Sequence, residues 1–242
     1  MTKLINSYLW RLFRNKLLYV GLAAAFIITL AGAGTESSSE QSMLMIKALS
    51  LGIIAFTSVF VPLFLGREYS DRTIRNKFIS GYTRTQVFFA SCTAVAVVEV
   101  LMTASWLAGA AIAVHITGAE LSELLSLAAK TFLFSMAHAA FVTFFSMLIS
   151  KTAVCIAVQI LIFHLFSSAA PIMLAIGVNI GGTAERVSIY AASSFPMGQW
   201  FSAIGFPDEV SEIGAYRAAA CVALMLLFTA AGCIMFRKKS IR

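Results

Sequence analysis

The sequence predicts an all-α polytopic membrane protein with six transmembrane helices. A basic amphipathic helix precedes the first span, a short charged helix lies in a cytoplasmic loop, and short outer helices join spans five and six. Three observations predict this. First, 60% of the 242 residues are hydrophobic and only 12% are charged, with a mean hydropathy of +0.87. A soluble domain carries roughly 25% charge, and half that amount cannot cover a soluble surface, so the solvent is lipid. Second, the apolar residues gather into six runs close to the ~20 residues that a spanning helix needs. Third, the charges fall between those runs, with the basic ones concentrated on one side. Disorder, a collagen-like fibre and an ordinary soluble enzyme are excluded. The whole chain, 1–242, reads as a single transmembrane domain, without internal repeat or flexible linker.

Residues 1–16 open the chain. Ile5, Tyr8, Leu9, Leu12 and Phe13 follow the i, i+3, i+4, i+7, i+8 spacing of one apolar face. Lys3, Arg11, Arg14 and Lys16 supply cations for anionic headgroups, so the segment reads as a helix on the inner leaflet. Its length and pattern argue against a cleaved signal, although Ala31-Gly32-Ala33 resembles a cleavage site.

The six spans are 17–33, 48–65, 87–116, 131–150, 152–180 and 218–236. The third and fifth exceed the minimum and are expected to tilt or kink. Only Lys151 separates the fourth and fifth, which makes a tight hairpin there.

Charge partition sets the orientation. Fourteen of the 18 basic residues lie in the N-terminal segment, the loop between spans two and three, the turn at Lys151 and the C-terminal tail. Lys47, Lys130, Arg186 and Arg217 fall on the other side. Positive charge marks the cytoplasmic face, so both termini are expected there, in a multi-pass plasma-membrane protein. The net charge of +7 is therefore topological and not a nucleic-acid footprint.

The loop 66–86, with the start of the third span, reads GREYSDRTIRNKFISGYTRTQVFFA. Asp71 is expected to cap a short helix through Arg72, Thr73, Ile74, Arg75, Asn76 and Lys77, and Ser80-Gly81 marks its end. A short charged helix at the membrane surface suits transmission of force from a soluble partner, or else a solvated topogenic loop. Glu68 through Lys77, then Gly81-Tyr82-Thr83-Arg84, resembles the intracellular loop of permeases of the type-two ABC exporter family. That family shows an acidic residue, a Gly-Thr-Ile-Arg-like stretch and a Gly-x-Ser/Thr-Arg element. Arg72 stands here where the family has glycine.

The resemblance implies the membrane subunit of an ATP-driven exporter, with residues 1–16 as its elbow helix. Its coupling helix, residues 71–77 with Glu68 at the membrane edge, would dock on an ATPase. This chain has no G-x-x-x-x-G-K-[ST] phosphate loop, so ATP and Mg belong to separate ABC ATPase subunits and the chain itself binds no cofactor. A second permease, identical or related, is also implied. Ser105, Gly109 and Ala113 form a small-residue series that suits either a dimer seam or packing within the chain.

Within the spans, Glu99 is the only deeply placed carboxylate. With Met102, Thr103 and Trp106 it is expected to line a substrate cavity or a dimer interface, or else to be a protonated packing residue. His138 and His164 read as separate hydrogen-bonded packing residues. Neither a catalytic constellation nor a metal site is recognised; Cys92, Cys155, Cys221 and Cys233 lack ligand spacing. The outer segment 181–217 carries Tyr190, Phe195, Trp200, Phe201 and Phe206, with Pro196 and Pro207, and reads as interfacial or re-entrant helices, or else as an aromatic interfacial loop.

The expected activity is export of a hydrophobic or amphipathic cargo (peptide, antibiotic or lipid-like compound) by alternating access. The competing readings are a passive channel or secondary transporter, and a toxin-binding immunity protein without transport.

Overall fold

In the computed structural model the backbone of residues 1–195, 198–205 and 211–239 is described. Pro196, Phe206 and Pro207 lie outside that set. Eleven helices and no strand occur among the described residues. Six helical stretches are long and apolar enough to cross a membrane: Lys16–Gly34, Ser39–Ser70, Arg84–Thr117, Leu121–Leu148, Thr152–Ile180 and Gly214–Lys238.

Helix α1 (Thr2–Phe13) buries Leu4, Tyr8 and Leu12 against the bundle. The inward face is thus i, i+4, i+8, rotated from the expected stripe: Phe13 is exposed, and Ile5 and Leu9 are flanking contacts. Arg11 also turns inward, to an acidic partner described below, while Arg14 stacks over the Trp10 ring at 4.1 Å. Asn15 then breaks the helix and caps α2 (Lys16–Gly34), its side chain accepting from Leu17 N at 3.1 Å.

The second crossing begins earlier than the apolar run. Helix α3 (Ser39–Leu49), capped by Ser38, continues almost directly into α4 (Leu51–Ser70). Ser50 marks the junction with helical dihedrals, its hydroxyl donating to Lys47 O at 2.6 Å. The polar residues Ser39, Glu40 and Gln41 open α3 and hid it in the sequence, while Lys47, in its last turn, pairs with Glu123 of α7 at 2.7 Å.

Helix α5 (Thr73–Ile79) is followed by α6 (Arg84–Thr117), which opens with a Thr83–Gln86 capping box and ends at left-handed Gly118. Helix α6 is the central element, packing against α1, α2, α3, α4, α7 and α11. Its Ser105–Gly109–Ala113 stripe faces α2 of the same chain. Ser105 donates to Leu22 O at 2.7 Å, and a Cβ on Gly109 would sit 2.5 Å from Phe26 O. The stripe therefore serves packing within the chain. Small side chains let the two backbones approach, which is how helices associate where lipid offers no hydrophobic drive.

Helix α7 (Leu121–Leu148) starts ten residues before the expected span, because its first turns include Glu123 and Lys130. Helices α8 (Thr152–Ile180), α9 (Gly182–Ser193), α10 (Gly198–Gly205) and α11 (Ser211–Lys238) complete the order. Helices α9 and α10 pack on α8, with Phe195 stacked on Phe166 at 4.8 Å, and α10 also meets α7, where the Trp200 ring lies tilted against Phe134 at 5.1 Å. Helices α8 and α11 keep most of their surface outward, including Leu161, Leu165, Ile172, Leu226 and Leu227.

Cross-bonds gather alternate helix ends. At the more basic end, Lys239 donates to Met147 O at 3.0 Å and to the Tyr69 hydroxyl at 2.9 Å. Arg84 donates there to Phe236 O at 3.3 Å. At the opposite end the Thr117 and Ser42 hydroxyls lie within hydrogen-bond distance, 3.2 Å apart.

Candidate functional site

Two of the residues singled out in the loop, Glu68 and Lys77, meet Tyr8 and Arg11 at one junction of α1, α4 and α5. Glu68, near the end of α4, is 1% exposed. Tyr8 donates to its Oε2 at 2.7 Å, and Arg11 and Lys77 both pair with Oε1. Ser91 on α6 donates to the Tyr8 hydroxyl at 3.1 Å, and Lys77 Nζ lies 3.5 Å over the Tyr8 ring. One carboxylate thus ties three helices together, with cations on two of them. Burial, and then the Glu68 charge, holds the Tyr8 hydroxyl well above its usual range. Burial pushes Lys77 down to about 8, against the pull of Glu68.

Asp71 does not cap α5. It closes α4, with its backbone N–H donating to Arg67 O at 2.9 Å. The chain reverses through Arg72 at φ 55°, the left-handed region, and α5 begins at Thr73 without a side-chain cap. The tight reversal demands that conformation where a capping carboxylate was expected. Arg72 is the non-glycine residue found at positive φ among the described residues. That backbone conformation is one that glycine adopts freely and other residues rarely do.

Helix α5 has two faces. Ile74 is buried, and Thr73, Lys77 and Phe78 are half-buried against α4 and α1. Arg72, Arg75, Asn76 and Ile79 are exposed, at i, i+3, i+4, i+7. Ile79 is 81% exposed, an apolar side chain between cations on an outward surface. The eight loop residues therefore divide: Glu68, Ile74 and Lys77 hold the helix in place, and Asp71, Arg72, Arg75 and Asn76 face outward. Thr73 lies between, its hydroxyl 3.4 Å from Glu68 O.

The intramembrane residues divide as well. Met102 and Trp106 line an apolar cavity of about 280 Å³ between α2, α4 and α6, with Gly21, Ile53 and Phe56 on its walls. Trp106 also donates to Ile46 O at 3.3 Å. Thr103 instead donates to the Ser135 hydroxyl at 3.3 Å. Glu99, fully buried, meets His138 Nδ1 at 3.1 Å. His138 is not a solitary packing residue, since Thr57 lies 3.3 Å from its Nδ1 and Ser58 3.3 Å from its Nε2. Glu99 and His138 are each nineteen residues from the α6–α7 turn at Gly118-Ala119. That symmetry of an antiparallel hairpin was the signal available in the sequence. His164 stands apart, exposed on α8, with Nδ1 3.0 Å from Ile160 O.

No protein-family model matches the chain, and no curated protein matches it.

Proposed function

We propose that this chain is the permease subunit of an ATP-driven exporter, docking through the outward face of α5 on a separate ATPase. The observation that supports this reading most directly is the two-faced construction of α5. A seven-residue helix is too short to be stable alone, yet this one is pinned on its inner side by Glu68 and Tyr8. Its outer side, Arg72, Arg75, Asn76 and Ile79, has the mixed cationic and apolar character of a contact surface. A load applied there reaches α4 directly and α1 through the Lys77–Glu68–Arg11 chain.

The basic end is then cytoplasmic, α1 is the elbow helix, and a second permease completes the cargo path. ATP and Mg act on the partner ATPase. Hydrophobic or amphipathic molecules are the cargo class that suits so apolar a lining.

The sharpest test reverses one outward charge. Arg75→Glu should leave expression and thermal stability unchanged while cutting permease-stimulated ATP hydrolysis by the co-expressed ATPase at least tenfold. Wild-type stimulation would refute docking through α5. Lys77 is unsuited to this purpose, because its loss disturbs the buried junction itself. A secondary transporter draws support from Glu99–His138, the intramembrane carboxylate–imidazole pair. Transport unaffected by a hydrolysis-dead ATPase would select that alternative.

A further inference from the structure

We propose that Glu99 and His138 form a proton-binding site inside the membrane domain, the pair holding one proton beyond that of the neutral imidazole. The argument rests on the geometry of the pair alone and stands whether or not an ATPase drives the protein.

Both side chains are fully buried, on α6 and α7, and α4 closes the site with Thr57 and Ser58. Among the described residues, their hydrogen bonds and ion pairs reach only each other and those two hydroxyls. No described residue hydrogen-bonds Oε2 of Glu99. The Phe141 ring stacks on the imidazole at 6.2 Å. Among the described side chains, the other titratable or charged groups on the packed helices are Arg67, Glu68 and Tyr69 on α4, Arg84, Cys92 and His115 on α6, Glu123 and Lys130 on α7, Cys155 and His164 on α8, and Tyr216, Arg217, Cys221, Cys233, Arg237 and Lys238 on α11. On α1, α2 and α3 these groups are Lys3, Tyr8, Arg11, Lys16, Tyr19, Glu40 and Lys47.

The hydroxyl directions constrain the imidazole. Thr57 donates to Ile53 O at 2.9 Å, which leaves its oxygen only able to accept from His138. Nδ1 therefore carries a hydrogen, shared between Thr57 Oγ1 and Glu99 Oε1. Nε2 faces Ser58, whose hydroxyl can donate to a neutral ring or accept from a charged one. The site accommodates either state of the ring without moving a heavy atom.

Charge decides how many protons it holds. With none beyond the neutral imidazole, Glu99 is a bare carboxylate buried between apolar helices, supported by one donor among the described residues. With two, the pair is a buried cation. With one, the site is neutral overall, as imidazolium beside carboxylate or as imidazole beside carboxylic acid. Occupancy by one proton is the state that the surrounding apolar helices can tolerate.

The experiment is NMR of the full chain in lipid nanodiscs at neutral pH, with ¹⁵N-histidine and ¹³C-carboxyl-glutamate labels and His138 and Glu99 assigned from the variants. Wild type should show an imidazolium with a carboxylate, or a neutral ring with a carboxylic acid. His138→Gln should leave Glu99 as the acid, with complete loss of any carboxylate signal. Glu99→Gln should leave His138 neutral, with complete loss of any imidazolium signal. A neutral ring beside a bare carboxylate in wild type would overturn the proposal. So would a charged Glu99 in H138Q or a charged His138 in E99Q. If either variant fails to fold, the wild-type proton count decides alone, supported by Ser58→Ala, which should leave that count at one.

Discussion

Lys77 shows how much a single side chain's surroundings alter its chemistry. In the sequence it is one more cation in a basic loop, interchangeable with Arg75. In the fold it is 12% exposed, paired with Glu68 and set over Tyr8, while Arg75 points outward. The consequence is measurable through pH. Its amine is lowered from 10.5 to about 8 by burial, so the folded chain sheds a proton that the unfolded chain keeps up to about 10.5. Below about pH 8 both states are protonated and this group adds no slope. Between about 8 and 10.5 the unfolded state binds more protons, so stability rises with pH. Lys239, also lowered to about 8 by burial, contributes in the same direction. Tyr8, raised above 10.0, acts oppositely at higher pH. Unfolding of purified protein from about pH 7.5 to about pH 10 should therefore show a rise in stability, and Lys77→Met should flatten about half of it. Parallel profiles for the two proteins would remove Lys77 from the account. The inward turn of Lys77 was not legible in the sequence because it depends on Glu68, and Glu68 depends on α1 folding back beside it. Tyr8 and Arg11, one helical turn apart, were the available trace of that contact.

At the scale of elements, the sequence reading succeeds where lipid is the dominant constraint and fails where local polar chemistry competes with it. The fifth span matches α8, Thr152–Ile180, because its run is apolar to both ends. The second and fourth spans were drawn short because α3 and the start of α7 carry charges beyond the apolar core. A helix can cross lipid and continue into water, and hydropathy registers only the crossing. The α4–α5 turn is the clearest failure, with Arg72 in a left-handed conformation that costs a non-glycine residue about 1–3 kcal/mol. Arg72→Gly relieves that strain but adds unfolded-chain entropy of about 0.5–1 kcal/mol. A net gain of about 1 kcal/mol is expected in denaturant unfolding of the detergent-solubilised protein. A loss of stability would mean that the Arg72 side chain contributes something its exposed position does not reveal.

For the whole molecule, the bonds between helix ends and the distribution of charge describe the same geometry. Contacts joining Tyr69, Met147, Arg84 and Lys239 bring alternate helix ends to one level, and Thr117, Ser42, Lys47 and Glu123 bring the others to the opposite level. A chain with six crossings has both flanks of the bundle at the same level, and the basic residues collect there. Translocation resists positive charge, so that level should be cytoplasmic. Two exposed isoleucines, Ile79 at 81% on the basic side and Ile180 at 70% on the other, offer a direct test. With Cys92, Cys155, Cys221 and Cys233 replaced by alanine, Ile180→Cys should react with a membrane-impermeant maleimide in intact cells. Ile79→Cys should react only after permeabilisation. The reverse pattern would invert the protein and detach α5 from any cytoplasmic ATPase. Reaction of both from outside would be incompatible with an odd number of crossings between them, since three of the six helices, α6, α7 and α8, separate the two positions.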